Sequence, residues 1–214
     1  EQQIAARHGE NPSLVLAGPG TGKTTTLVGR YCYLVNTGVP PESIFTTTFT
    51  KKGALQLKDR IATGAGVKAT DLPIGTFHSL CMRMVREIGH LVGVNEDFDV
   101  VIEDGRRLSL LRELNPTSSV DLQIILDKID RFKDRLVTPQ EALAEADRSK
   151  GVRLEEIAAA RAYESYQSEM QRMDRLDGGD MIMLAVKALL SDADTRARYS
   201  RRYRFLMIDE FQDT

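Results

Sequence analysis

The chain has 214 residues, 42% hydrophobic and 28% charged, with a formal net charge of −2. It is long enough to bury one large core or two small ones, and its overall charge by itself argues against a generic polyanion binder, although the local distribution of charge matters more. No run approaches the ~18 apolar residues of a membrane span and no charged-then-apolar signal pattern opens it, so a cytoplasmic protein without a membrane partner is expected.

Strand-like runs occur at 13–17, 44–49, 73–76, 98–102 and 205–209, and the early ones alternate with helical patterns at 23–36, 51–62 and 77–92. Gly38 and Pro40-Pro41 end the first helix, and Gly64 and Gly66 stop the second. The third carries Leu80, Met84, Ile88 and Leu91 on one stripe, which reads as core. This alternation predicts an α/β fold built on a parallel sheet.

From 103 to 203 the pattern changes to amphipathic helices with no convincing strand. Thr138-Pro139-Gln140-Glu141 is a capping box with proline at the first helical position. A long helix over 154–173 repeats Ile157, Ala160, Tyr163 and Tyr166, and Gly178-Gly179 breaks it before a helix at 181–190. The segment holds 18 basic and 19 acidic residues, so it is no simple basic clamp. The expected organisation is an α/β domain over 1–102, an inserted all-helical subdomain over 103–203, and a return to the sheet over 204–214. Cys32 and Cys81, the only cysteines, lie in apolar helical patterns without ligand-spaced partners and read as core thiols.

Ala17-Gly18-Pro19-Gly20-Thr21-Gly22-Lys23-Thr24 has the form of a phosphate loop. Its glycines let backbone N–H groups converge on phosphate oxygens, Lys23 would reach the β- and γ-phosphates, and the Thr24 hydroxyl would ligate Mg²⁺. Thr25 follows in the first helical turn. Ala17 replaces the usual first glycine, which is tolerable if its dihedrals are ordinary. At the other end, the apolar run 205–208 delivers Asp209 and Glu210, as expected of a buried parallel strand. Asp209 would hold Mg²⁺ and Glu210 would orient or deprotonate water. The expected cofactors are ATP and Mg²⁺, with strand 205–209 parallel to 13–17 in one sheet and Asp209 within metal-bridging reach of Thr24. Two basic clusters, Lys51, Lys52, Lys58, Arg60 and Lys68, then Arg196, Arg198, Arg201, Arg202 and Arg204, each read alone as a solvated helix face.

Several motifs in order resemble the superfamily-one DNA helicases of the UvrD/Rep/PcrA type. They are Gln2 with Ala5, the phosphate loop, Thr48-Phe49-Thr50-Lys51-Lys52-Gly53-Ala54, Gly75-Thr76-Phe77-His78-Ser79-Leu80, Leu176-Asp177 with Asp180-Met181, and Asp209-Glu210-Phe211-Gln212-Asp213-Thr214. The resemblance implies a RecA-like P-loop NTPase domain with a helical insertion, the amino-terminal part of a longer helicase. It implies that Gln2 reads adenine, that Gly18, Pro19, Gly20, Thr21, Gly22, Lys23, Thr24 and Thr25 hold the nucleotide, and that Gln212 senses the γ-phosphate. Phe49, Thr50, Lys51, Thr76, Phe77 and His78 would contact single-stranded DNA, or a duplex with a single-stranded tail. Core packing competes with that role for both phenylalanines, and a lone His such as His78 is otherwise more often a capping or packing residue. Lys51 stands where the family has Asn, Gly53 where it has Ala, and Gly178 where it has Phe.

The implied activity is ATP-dependent translocation on DNA with 3′-to-5′ polarity, in repair or replication. A second RecA-like domain would complete the ATP site with arginines, so the chain alone is expected to be nearly inactive. The motor of a recombination helicase–nuclease is a close alternative. From other classes, a nucleotide-binding module without turnover would not need Glu210 or Gln212, and a small-molecule phosphotransferase would need a lid and base that the sequence does not offer.

Overall fold

The computed structural model describes residues 1–9, 11–70, 72–148 and 154–213; Thr214, which closes the terminal motif, lies outside them. Its helices are α1 (Gln2–Ala6), α2 (Lys23–Asn36), α3 (Lys51–Ala65), α4 (Phe77–Ile88), α5 (Asp104–Leu114), α6 (Leu122–Asp134), α7 (Pro139–Arg148), α8 (Leu154–Arg172), α9 (Gly178–Ser191) and α10 (Ala193–Arg202). Its strands are β1 (Ile44–Thr48), β2 (Ile74–Thr76), β3 (Asp99–Val100), β4 (Arg175–Leu176) and β5 (Phe205–Ile208). They divide into two units, residues 1–80 with 192–214 and residues 81–191.

The first unit is an α/β structure whose parallel sheet runs β2-β1-β5. The β-branched run Ile44-Phe45-Thr46-Thr47-Thr48 suits a central strand, and its threonines are buried. Tyr31 and Leu34 of α2, Leu57 and Ile61 of α3, Ile44 and Ile74 form the core beneath it, each apolar side chain contributing about 1.5–3 kcal/mol on burial. α3 continues through Gly64 because a side chain there would begin 2.9 Å from Cys32 Sγ of α2; the glycine permits the close approach rather than stopping the helix. Gly66, at φ 67°, ends it. Asp192 caps α10 by accepting from the Thr195 N–H at 2.8 Å, and Tyr203 packs edge-on to Phe45 at 5.1 Å, seating the entry to β5.

The run at 13–17 does not form the expected strand: β5 pairs with β1, and residues 12–18 join no ladder. Leu14, Val15 and Leu16 remain 67%, 45% and 84% exposed, so the burial that would draw this apolar run into the sheet is not realised.

The second unit departs from the all-helical expectation. Residues 98–102 supply β3, which pairs in parallel with β4 in a separate two-stranded sheet. The run at 98–102 is expected as a strand from its sequence, but its partner β4 is two residues long, too short to show alternation in a sequence. The unit's bounds therefore fall at 80/81 and 191/192 instead of 102/103 and 203/204, because β3 pairs with residues 175–176 and α10 leads into β5. In α4 the buried positions are Leu80, Cys81, Val85 and Ile88, while Leu91 lies beyond the helix in a 3₁₀ turn. Burial pushes the Cys81 thiol up to about 11. Elsewhere Leu111, Ile125, Ile129, Tyr163, Tyr166 and Met170 form the core of α5, α6 and α8. The capping box is present, the Glu141 N–H donating to Thr138 Oγ1 at 3.2 Å and the Thr138 N–H to Glu141 Oε2 at 2.7 Å.

Within this core lies a fully buried ionic cluster. Lys133 Nζ sits 2.7 Å from Asp177 Oδ2 and 2.8 Å from Asp180 Oδ1. Arg107 and the Tyr166 hydroxyl also donate to Asp177, at 3.2 and 3.0 Å. The two aspartates cap α9 reciprocally, each accepting the other's backbone N–H. Gly178-Gly179 therefore opens α9 instead of breaking a helix, and a side chain at 179 would begin 2.8 Å from Lys133 Cδ. Burial alone would raise both carboxyls, but Lys133 and Arg107 together hold Asp177 below the usual range. Asp180 is raised by burial, which the shared charge of Lys133 does not offset, with the Asp177 charge adding to the rise.

Removing one partner of a buried pair leaves an uncompensated charge. Lys133→Met should lower the unfolding free energy by about 3–5 kcal/mol in urea titrations. The raised Asp180 carboxyl also sets a pH dependence. Above the unfolded pKa near 4 the folded state still holds that proton, so stability falls as pH rises toward the folded pKa. Asp180→Asn should flatten that fall in urea midpoints measured across the window.

Candidate active site

The three parallel strands of the first unit end together. The register sets Thr48 beside Thr76 and Thr47 beside Ile208. Residues 49–51, 77–78 and 209–212 consequently emerge along one carboxyl edge, where open α/β sheets gather their ligands.

Gly20 and Gly22 take left-handed backbones, φ 73° and 92°, conformations that a side chain disfavours. Ala17 is not among the positive-φ residues, which explains why its methyl is accepted. Thr21 Oγ1 donates to the Gly18 carbonyl at 2.7 Å, and Lys23 Nζ lies across the loop, donating to the carbonyls of Ala17 and Gly18 at 3.1 and 3.2 Å. Gln2 Nε2 donates to the Thr21 carbonyl at 2.8 Å, and a side chain at Gly22 would begin 2.6 Å from it. Gly22 precedes α2, whose first turn carries no acid, so the positive end of the helix is open to an anion. Pro19 completes the loop.

Thr24 Oγ1 donates to Asp209 Oδ2 at 3.0 Å across 185 residues of sequence. Asp209 is 8% exposed, and its N–H donates to the Thr47 carbonyl at 2.8 Å, extending the β1–β5 ladder. A hydroxyl and a carboxylate oxygen side by side are hard donors of the kind that would hold Mg²⁺. Glu210 follows at φ 52°, a left-handed backbone that costs a non-glycine residue about 1–3 kcal/mol. Gln212 Nε2 donates to Glu210 Oε2 at 2.6 Å from the 3₁₀ turn Phe211–Asp213.

Beside these groups Phe49 is 62% exposed, and Lys51 and Lys52 are exposed in the first turn of α3. Thr50 caps α3, its hydroxyl accepting from the Gly53 N–H at 2.9 Å. A side chain at Gly53 would begin 2.9 Å from that hydroxyl, which accounts for glycine there. Thr76 is buried and accepts from the Ser79 N–H at 3.2 Å. Phe77 is half-buried and His78 exposed. The edge thus presents Phe49, Lys51 and His78 to solvent, while Thr50 and Thr76 engage their hydroxyls in shaping the backbone.

A cavity of about 660 Å³ is lined by Thr24, Phe49, Thr50, Arg60, Asp209 and Glu210, among others. Arg60 was legible only as one member of a basic cluster, yet its Nη2 donates to Thr25 Oγ1 at 3.0 Å, tying α3 to α2. Its spacing from the motifs carries no signal; the packing of α3 on α2 brings it there.

The UvrD/REP helicase N-terminal domain matches residues 1–214. The chain is 32% identical over 220 residues to the ATP-dependent DNA helicase PcrA of Leuconostoc citreum, covering 100% of this chain and 29% of that protein. It is 32% identical over 222 residues to the probable DNA helicase II homolog of Rickettsia conorii, covering 100% and 33%. Against the ATP-dependent DNA helicase SRS2 of Saccharomyces cerevisiae it is 32% identical over 230 residues, covering 94% and 19%. The chain spans about a third or less of these relatives' length. Matched along its whole length, the chain belongs to the UvrD/REP helicase N-terminal domain family.

Proposed function

We propose that the chain is the nucleotide-binding part of an ATP-dependent DNA helicase, and the observation that carries this reading is the 3.0 Å hydrogen bond from Thr24 Oγ1 to Asp209 Oδ2. Loop N–H groups and Lys23 would bind the triphosphate, Gln2 would read the adenine, and Thr24 and Asp209 would hold Mg²⁺. Bound there, Mg²⁺ would neutralise charge on the β- and γ-phosphates. Glu210 would orient and deprotonate water, and Gln212, hydrogen-bonded to it, would relate the γ-phosphate to the position of that carboxylate.

DNA would lie along the same sheet edge, with Phe49 stacking on a base of a single strand and Lys51 and His78 on phosphates. The relatives named ATP-dependent DNA helicases support this partner. A second RecA-like domain of the same protein would complete the site with arginines, and such a motor would work in the cytoplasm with 3′-to-5′ polarity, in repair or replication.

The 214-residue chain should therefore bind Mg²⁺–ATP weakly and hydrolyse it slowly, since a completing arginine is worth roughly 10³–10⁵ in rate. Lys23→Ala should lower its affinity for a fluorescent ATP analogue by about tenfold or more, as loss of a charge-assisted contact implies. Glu210→Gln should bind the analogue as the parent does. In the protein extended to the length of its relatives, Glu210→Gln should abolish phosphate release; turnover at the parent rate would remove Glu210 from the chemistry.

On the DNA side, Lys51→Ala with Lys52→Ala should weaken single-strand binding equally for all sequences in fluorescence anisotropy. The salt slope should fall by about 0.7 per lost phosphate contact. Unchanged affinity and slope would leave these lysines as a solvated helix face.

A further inference from the structure

α1 is a short turn that its own sequence does not sustain. It is five residues long, Gln2–Ala6, buries none of them and has no side-chain cap, and an isolated helix of that length does not persist in water. Its one large apolar residue, Ile4, is 77% exposed, so no apolar anchor holds it either. What holds it is a polar fastening at each end. At the amino end, Gln2 Nε2 donates to the Thr21 carbonyl at 2.8 Å. At the other end, Arg30 of α2 donates through Nη1 to the carbonyls of Ala6, at 3.4 Å, and His8, and through Nη2 to that of Gly9 at 2.7 Å. A helix end leaves its last carbonyls without intrahelical donors, and one planar guanidinium with five N–H groups answers three carbonyls at and just beyond this end. Arg30 is half-buried, its Cζ 5.9 Å from the centroid of the Tyr33 ring. The two helices run in contact there, since a Cβ at Gly29 would stand 3.5 Å from Ala6 Cβ.

This fastening sets the position of a recognition group as well as a backbone. With one Nε2 hydrogen committed to Thr21, the Gln2 amide keeps its other N–H and its Oε1 free of hydrogen bonds among the described residues. Adenine presents the complementary pair, an N6–H donor beside the N7 acceptor, whereas guanine sets the acceptor O6 where N6 stands and would face Oε1 with a like group. That discrimination lasts only while the amide is held at the loop. A single neutral hydrogen bond at an exposed position contributes too little to hold a helical turn in place, so the carbonyl clamp at the far end of α1 carries that task.

We propose that Arg30 is a positioning residue for base selection: by clamping the carbonyls of Ala6, His8 and Gly9 to α2 it keeps Gln2 at the phosphate loop, and so sets a preference for adenine over guanine without touching the nucleotide. The proposal rests on the reading of Gln2 as the adenine contact and adds the residue that places it.

The test is the binding of ribose-labelled fluorescent ATP and GTP analogues to the 214-residue chain and to its Arg30→Met, Gln2→Ala and double variants. Loss of a two-point base contact should lower the ratio of ATP to GTP affinity by about fivefold or more. Arg30→Met should lower that ratio about as far as Gln2→Ala does while GTP affinity stays at the parent value, and the double variant should lose no more than either single one. A rescue separates positioning from stability. The Cβ separation of positions 6 and 29 suits a disulfide, so adding Ala6→Cys and Gly29→Cys to Arg30→Met should restore the ratio when oxidised, with two fewer free thiols, and lose it again on reduction. If Arg30→Met loses helical circular dichroism, the oxidised and reduced forms of this disulfide variant are compared instead, and the ratio should fall on reduction. An equal fall in ATP and GTP affinity, additive losses in the double variant, or a closed disulfide that restores nothing overturns the proposal. If Gln2→Ala leaves the ratio unchanged, the reading of Gln2 fails and the proposal with it; if Gln2→Ala lowers the ratio and Arg30→Met does not, the proposal alone fails.

Discussion

Everything in the first unit follows from one requirement: an oxygen from the start of the chain and an oxygen from its end must stand side by side. The Thr24–Asp209 hydrogen bond meets it. Neither residue gets there alone. Thr24 is carried by the first turn of α2, and Asp209 by a ladder in which β5 is held through β1. A parallel sheet is the economical solution, because strands pointing the same way deliver all their carboxyl ends to one edge. That geometry also places Phe49 and His78 on the same sheet edge as Asp209 and Glu210, since β1 is the strand between β2 and β5.

The second unit is built on a different principle. Its helices meet over an apolar core but are also pinned by Lys133, Arg107, Asp177 and Asp180, groups whose removal from water is tolerable only while each keeps its partners. Such a cluster fixes register more than it adds stability, because one lysine can satisfy two carboxylates only when α6 and the start of α9 are correctly set.

The phosphate loop, the terminal carboxylates, α2 and the capping box were all legible, because each rests on local chemistry: a left-handed glycine, a cap, an apolar run ending in acid. Residues that serve two interactions were less legible. Gly64 and Gly179 looked like helix breakers, yet each is a glycine because another helix passes close by. The Asp177 and Asp180 carboxylates echoed a family segment, but their partner Lys133 lies in α6, with no sequence pattern joining them. Residues 13–17 show the converse: a strand-like composition expresses itself only where partners and cover are present, and Leu16 is 84% exposed.

The left-handed backbone at Glu210 sets conformational economy against the chemistry proposed for its carboxylate. Glycine or asparagine would occupy φ 52° with less strain, and removing strain is a common route to a more heat-resistant protein. A library of this chain screened for thermal resistance alone would therefore drift at position 210 toward residues that lack the carboxylate. If Glu210 has the role proposed for it, selection would have to be applied to turnover by the protein extended to its relatives' length, or the sturdiest clones would be those that had discarded the acid.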